Sequence, residues 1–303
     1  ELKVITEIWD VLRAFASFGF CKAHAAAFAL PTYQSAWLKT HHPAAFMAGV
    51  LTHDPGMYPK RLMLDEVRQM GVAIAPLDIN KSSAQYRVER TLDGDAVRIA
   101  LSCVAGISEK EIASIVQGQP YIDLADFYRR SGASTPVVEN LIMTGAFDSI
   151  HTNQRDLLLH LTDLQKSPVA HLPGSQLTLG FAPPALESSG LQPLNAAEKV
   201  SSEVARLGMD VTQHMLTFYA PFLNAIGAVK SSDLLSLRSD STVLVAGVKV
   251  ALQTPPVRSG RRVIFVTLDD GYGCSDSTFF PDAQVDYAST LYSTSLLLVR
   301  GQT

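Results

Sequence analysis

The sequence predicts a multidomain α+β chain on three observations. A helical apolar rhythm fills the first quarter, glycine-centred turns then separate short helices, and alternating apolar segments close the chain after a Pro/Gly/Ser-rich stretch. At 303 residues there is room for two or three domains. A hydrophobic fraction of 47% and a charged fraction of 18% are those of a soluble globular protein, and no apolar run has the length of a membrane span. A net charge of -4 argues against a uniformly basic nucleic-acid coat, so any such contact is expected to be local. Cys21, Cys103 and Cys274 are odd in number and widely spaced, which fits a reducing cytoplasm rather than a disulfide framework. No signal peptide is visible. The chain opens on Glu1 and a Leu2 to Phe15 amphipathic pattern, as if inside a larger protein.

The first helices follow from propensity and turn chemistry. Gly19 supplies a turn, and the alanine-rich run from Ala23 to Leu30 has high helix propensity. Lys22 and His24 then fall in the first helical turn, where unpaired N–H groups and the positive dipole end suit an anion such as a triphosphate. A solvated lysine and a satisfied histidine are the competing reading of the same residues. Pro31 is expected to start or kink a helix, with Leu30, Tyr33 and Trp37 on one face. A helix after Pro43 and another from Pro59 to Met70, stopped by Gly71, complete a helical region to about Leu77. Metal binding is not expected: Cys21-x-x-His24 lacks a second ligand pair, and His41 and His42 are read as diverging.

Arg87 to Leu101 switches to strand rhythm, with Asp93-Gly94 as the hairpin signal between Val88 and Val97. Helix returns at Ser108, where Ser108-Glu109-Lys110-Glu111 has the capping-box spacing and the helix is expected to reach Val116. The apolar–Gly–apolar turn before it, Val104-Ala105-Gly106-Ile107, and the later run Val137 to Asp148 resemble a tandem helix-hairpin-helix module. Such modules grip a duplex backbone through hairpin amides, which makes Ala105, Gly106, Ile107, Ser108 and Lys110 candidate DNA contacts. Ser108 stands where a second hairpin glycine is usual, and an ordinary helical hairpin accounts equally well for the first half alone.

Ser167 to Gly190 reads as a linker. Within it Gln176-Leu177-Thr178-Leu179-Gly180-Phe181 is similar to the hexapeptide form of bacterial sliding-clamp-binding motifs, with Gln176, Leu177, Leu179 and Phe181 as anchors, although short linker motifs often arise by accident. A helical stretch is expected from Ala196 to Leu223. Val243 to Val250, Val263 to Leu268 and Ser295 to Val299 then suggest a small Greek-key barrel, with truncation at Thr303 as part of the expectation. Arg258, Arg261 and Arg262, near Phe265 and Tyr272, suit single-stranded DNA, and a solvated hairpin tip is the rival reading. Asp269-Asp270 followed by Gly271 is read as a turn rather than a metal site.

In order along the chain, Phe18 to Leu30, Tyr33 to Pro43, Leu77 to Asn80, Leu141 to Asp148 and Val266 to Asp270 resemble the C-terminal half of bacterial C-family DNA polymerases, the DNA polymerase III α subunit and its relatives. Cys21, Pro31 and the His53 to Arg61 stretch resemble the error-prone branch used in damage-induced translesion synthesis. The resemblance implies the end of a fingers domain over 1–78, tandem helix-hairpin-helix over 79–164, a linker over 165–190, a helical connector over 191–239 and an OB-fold over 240–303. It implies Lys22 and His24 facing the triphosphate of an incoming dNTP, with primer-template DNA as partner. It further implies Mg2+ held by palm-domain aspartates upstream of this segment, which would be inactive alone, and a sliding clamp or an inactive polymerase-like accessory protein as further partner. The alternative is a non-catalytic nucleic-acid-binding or scaffold module.

Overall fold

The computed structural model describes residues 2–16, 21–166, 184–255 and 262–303. The chain opens with two helices, α1 (Leu2–Ala16) and α2 (Lys22–His41). No residue of α2 is buried, and its Leu30, Tyr33 and Trp37 are largely exposed. Pro31 lies inside α2 without ending it. His41 and His42, expected to diverge, both pack on Trp37, with ring centroids 4.6 and 5.5 Å away.

Packing begins at α3 (Pro43–His53), whose first-turn proline needs no N–H partner and whose inner face buries Met47, Ala48 and Leu51. It lies beside α4 (Lys60–Gln69), which follows Pro59 and buries Met63, Leu64 and Val67. Gly71, at φ +74°, turns the chain out of α4. The helical region then ends earlier than expected. Residues Ala73–Ala75 form a strand, β1, parallel to β3 (Gly94–Arg98), and β3 pairs antiparallel with β2 (Arg87–Thr91) with Val88 opposite Val97. Three residues are too few to show a period, so tertiary pairing decides the strand.

Four helices follow: α5 (Glu109–Gly118), α6 (Leu124–Ser131), α7 (Thr135–Met143) and α8 (Gln154–Lys166). They share one core with α3, α4 and the small sheet, and that core runs from Ala44 to Val211 without a break at residue 78. Its centre is aromatic: Phe127 meets Phe147 edge-on at 5.1 Å and Tyr121 at 4.8 Å.

The expected helix from Ala196 to Leu223 is broken. Gly208, at φ +71°, ends α9 (Ala196–Leu207), and a 3-10 turn (Met215–Tyr219), α10 (Ala220–Ala225) and α11 (Ser231–Leu234) follow. The C-terminal part is a curled antiparallel sheet of β4 (Thr242–Gln253), β5 (Ile264–Asp269), β6 (Cys274–Phe279) and β7 (Leu296–Gln302), in the order β6-β5-β4-β7. β4 pairs with β7 along its first half and with β5 along its second, and a bulge between Lys249 and Ala251 bends it. Gly247 lets the strands approach, since a Cβ there would sit 2.5 Å from that of Leu268. β6 and α12 (Pro281–Ser293) lie between β5 and β7, where the sequence offered no distinct signal. A small second core gathers Val245, Ile264, Val266, Leu268, Leu291 and Leu297.

Candidate nucleic-acid interface

The first glycine hairpin is presented to solvent. A 3-10 turn (Leu101–Cys103) leads into Val104, and Gly106 takes φ +77° with open space where a Cβ would stand. Ala105, Gly106, Ser108 and Lys110 are exposed. Three of the four candidate phosphate-binding amides, however, already donate within the fold. Ala105 N–H bonds the Arg206 carbonyl at 2.9 Å, Ile107 N–H the Val104 carbonyl at 3.2 Å, and Ser108 N–H the Glu111 carboxylate at 2.8 Å. Glu111 also accepts from the N–H and hydroxyl of Ser134, at 2.9 and 2.7 Å, so one carboxylate ties the start of α5 to the start of α7. The Ser134 N–H and the Ser108 hydroxyl, aided by the Ser108 N–H, hold its carboxyl down at about 2.

The second hairpin has the same backbone turn and the opposite exposure. Gly145 has φ +77°, but it is buried and its N–H donates to the Ile142 carbonyl at 3.0 Å. Ala146 N–H bonds the Leu141 carbonyl, and its own carbonyl accepts from Ile79 N–H. The helix α9 covers it: Ser202 donates to the Met143 carbonyl at 2.8 Å and Lys199 pairs with Asp148 at 2.6 Å. At its far end α9 reaches the first hairpin through Arg206, so one helix braces both turns.

Lys22 and His24 are at the first turn of α2, after Cys21 at the N-cap, and both are exposed. The His24 ring packs edge-on to Phe28 at 4.6 Å. No side chain caps these N–H groups. On the sheet, Arg262 is exposed, Phe265 is 39% exposed, and Tyr272 carries the Lys230 ammonium 3.9 Å from its ring centroid. Arg258, Arg261 and the hexapeptide residues Gln176, Leu177, Leu179 and Phe181 lie outside the described residues. Among the described residues no hydrogen bond, ion pair or ring contact joins the hairpin, the α2 terminus and Arg262 to one another.

A further cluster had no sequence signal, because its members come from α4, the segment after α9 and the end of β5. Asp65, His214 and Asp269 are all buried, and one ligand-type atom from each lies within 4.8 Å of the other two. Both aspartates make the expected turn bonds, Asp269 Oδ1 accepting from the Gly271 N–H and Asp270 Oδ1 from the Tyr272 N–H, but Asp269 Oδ2 also faces His214 Nε2 at 3.4 Å. Arg61 approaches Asp269 and Asp210 at 3.8 and 3.9 Å. Arg68 binds Asp65 and the carbonyls of Asp210 and Val211, which fastens the connector to α4.

Residues 71–157, which hold both hairpins, match the family model described as a helix-hairpin-helix motif. Over 98% of its length the chain is 32% identical to an error-prone DNA polymerase of Bdellovibrio bacteriovorus, of which it covers 29%. Over the same share it is 31% identical to the DNA polymerase III subunit alpha of Escherichia coli K12, of which it covers 27%. Nearly the whole chain is homologous to a segment of these bacterial DNA polymerases. A comparable segment of the DNA polymerase III subunit alpha of Vibrio cholerae is 30% identical. The chain thus spans less than a third of the length of these polymerases. Among its described residues no helix is long and apolar enough to cross a membrane.

Proposed function

We propose that this polymerase segment holds primer-template DNA by its backbone and meets the incoming dNTP, within an error-prone enzyme of translesion synthesis. The observation that supports this most is the exposed Gly106 hairpin inside a helix-hairpin-helix match, on a chain aligned with polymerases over nearly its whole length. Internal bonds take three of the hairpin amides, so the duplex contact rests on the Gly106 turn and the Lys110 ammonium, which needs no preset geometry to pair with phosphate. The buried Gly145 hairpin braces this site instead of touching DNA.

Lys22 and His24 would meet the triphosphate, supported by their exposure at the uncapped start of a 20-residue helix. The curled sheet has the strand order and the late helix of an OB-fold lacking a closing strand, and Arg258, Arg261 and Arg262 would track a single strand there. The hexapeptide would seat a sliding clamp, or an inactive polymerase-like accessory protein would supply that contact. The Mg2+ of phosphoryl transfer does not suit this chain's one cluster of potential ligands among the described residues. Mg2+ favours oxygen donors and retained water, whereas Asp65, His214 and Asp269 are buried against a guanidinium. Its ligands belong to other parts of the polymerase.

Titrating primer-template DNA against this chain over a range of salt tests the duplex contact. Lys110→Ala is expected to weaken binding several-fold at low salt and to lower the salt slope by about one. An unaltered slope removes Lys110 and the hairpin from the interface. For the nucleotide contact, Lys22→Ala in the full-length polymerase should raise the dNTP concentration needed for half-maximal primer extension, and an unchanged dependence would refute the assignment.

A further inference from the structure

The Asp65–His214–Asp269 cluster joins three segments far apart in sequence, and its hydrogen bonding is incomplete. Asp65 Oδ1 is bound by Arg68, Asp269 Oδ1 by the Gly271 N–H at 3.0 Å, and Asp210 Oδ2 by the Met215 N–H at 3.0 Å. The remaining oxygens, Asp65 Oδ2, Asp269 Oδ2 and Asp210 Oδ1, are buried without a hydrogen-bond partner. Buried carboxylate oxygens are costly to leave unpaired, so the site calls for a cation or a proton.

A metal ion needs the lone pair of His214 Nε2, and that lone pair is taken on either tautomer. The Leu216 N–H points at Nδ1 at 3.3 Å, which puts the ring proton on Nε2. The other tautomer frees the Nε2 lone pair only to face the Arg61 guanidinium at 3.3 Å. Charge gives the same answer. The three carboxylates Asp65, Asp210 and Asp269 outnumber the guanidiniums Arg61 and Arg68 by a single negative charge. One proton neutralises it, and a divalent ion overshoots.

We propose that a proton held between Asp65 and Asp269 locks the C-terminal sheet onto α4, and that this lock weakens as pH rises from the acid side to neutrality. The groups facing the pair are Arg61 and Arg68 on α4, Asp210 and His214 on the connector, and Cys274 on β6, while the Asp270 carboxylate turns away to Ser231 and the Tyr272 N–H. Glu203 on α9 sets the connector, its carboxylate accepting from Val211 and Thr212 N–H at 2.8 and 2.9 Å. Burial, then Asp269, pushes the Asp65 carboxyl up from 3.8 to about 7. Burial also acts on Asp269, but the facing His214 ring and the Gly271 N–H more than offset it and hold that carboxyl below its usual range. Asp65 therefore takes the proton.

The sign follows from linkage. A released Asp65 ionises in the ordinary carboxylate range, so between that range and about 7 only the docked form keeps the proton. Its contribution to docking is full at the acid end of this window, is lost progressively as pH rises across it, and loses nothing further above about 7. Asp269 has the opposite sense, and its contribution is lost as pH falls below the carboxylate range.

Amide hydrogen exchange of the whole chain, corrected for intrinsic rates between about pH 5 and pH 9, reads the docking. In the wild type the opening of β5 and α4, relative to α7 and α8, is expected to rise up to about tenfold per pH unit below about 7 and to level off above it. Asp65→Asn, whose amide can donate to Asp269 as the protonated acid does, should abolish that slope. A slope that survives in Asp65→Asn, or is missing from the wild type, overturns the proposal. A slope that emerges only after chelator treatment also overturns it, because a metal then holds the site. Should Asp65→Asn fail to fold, the infrared band of a protonated carboxyl in the wild type decides. Its presence at about pH 6 and loss by about pH 9 supports the lock, and its absence at both refutes it.

Discussion

Gly106 and Gly145 share a backbone angle of φ +77° and differ in what surrounds them. A methyl at Gly106 meets open space, so Gly106→Ala carries only the left-handed backbone penalty, about 1–2 kcal/mol. A methyl at Gly145 also presses within 2.8 Å of the Asp148 carboxylate, whose bonds to Lys199 and Gln154 it would disturb. Gly145→Ala is expected to be the more destabilising of the two in urea titration. Equal midpoints would mean that the second hairpin yields freely. Glu111 gives a second prediction. Its carboxyl is held near 2, so its contribution is present above the ordinary carboxylate range and lost as pH falls toward about 2. Glu111→Ala should cost about 1 kcal/mol by thermal melting at neutral pH, and less near pH 2. Both turns were legible as an apolar–Gly–apolar pattern and a capping box, because these are local. Which hairpin faces solvent was not legible, because that is decided by Ser202 and Arg206, which arrive from elsewhere in the chain.

At the scale of elements, the legible ones carry their own signals. The Asp93-Gly94 turn, the Ser108 cap and the Gly71 stop each act within a few residues. β1 and β6 lack such marks and exist because a neighbouring strand offers hydrogen bonds. α12 was hidden for another reason: only Leu291 of it is buried, so its sequence shows no apolar stripe. That residue is correspondingly important to the small second core. Leu291→Ala is expected to cost about 2–5 kcal/mol and to expose the sheet while α5–α8 stay folded. Hydrogen exchange resolved by segment checks this, and uniform loss of protection in both cores would contradict it.

Across the whole molecule, ordered resemblance along the chain gave the likeness to bacterial DNA polymerases, whereas the buried acid cluster stayed invisible. No spacing rule links residues 65, 214 and 269. The two cores differ greatly in size, so calorimetry should show more than one transition, with the C-terminal sheet melting first. A single two-state transition would show that the cluster couples them fully. The helix α9 has a consequence in time. Ser202 lies 59 residues beyond the Met143 carbonyl it binds, and Lys199 lies 51 beyond Asp148. At roughly 5–20 residues per second, a ribosome needs on the order of three to twelve seconds to deliver the brace after the second hairpin has been made. During that interval the turn has its glycine angle but not its cover, and a nascent chain paused there would offer a chaperone the apolar seat that α9 later fills.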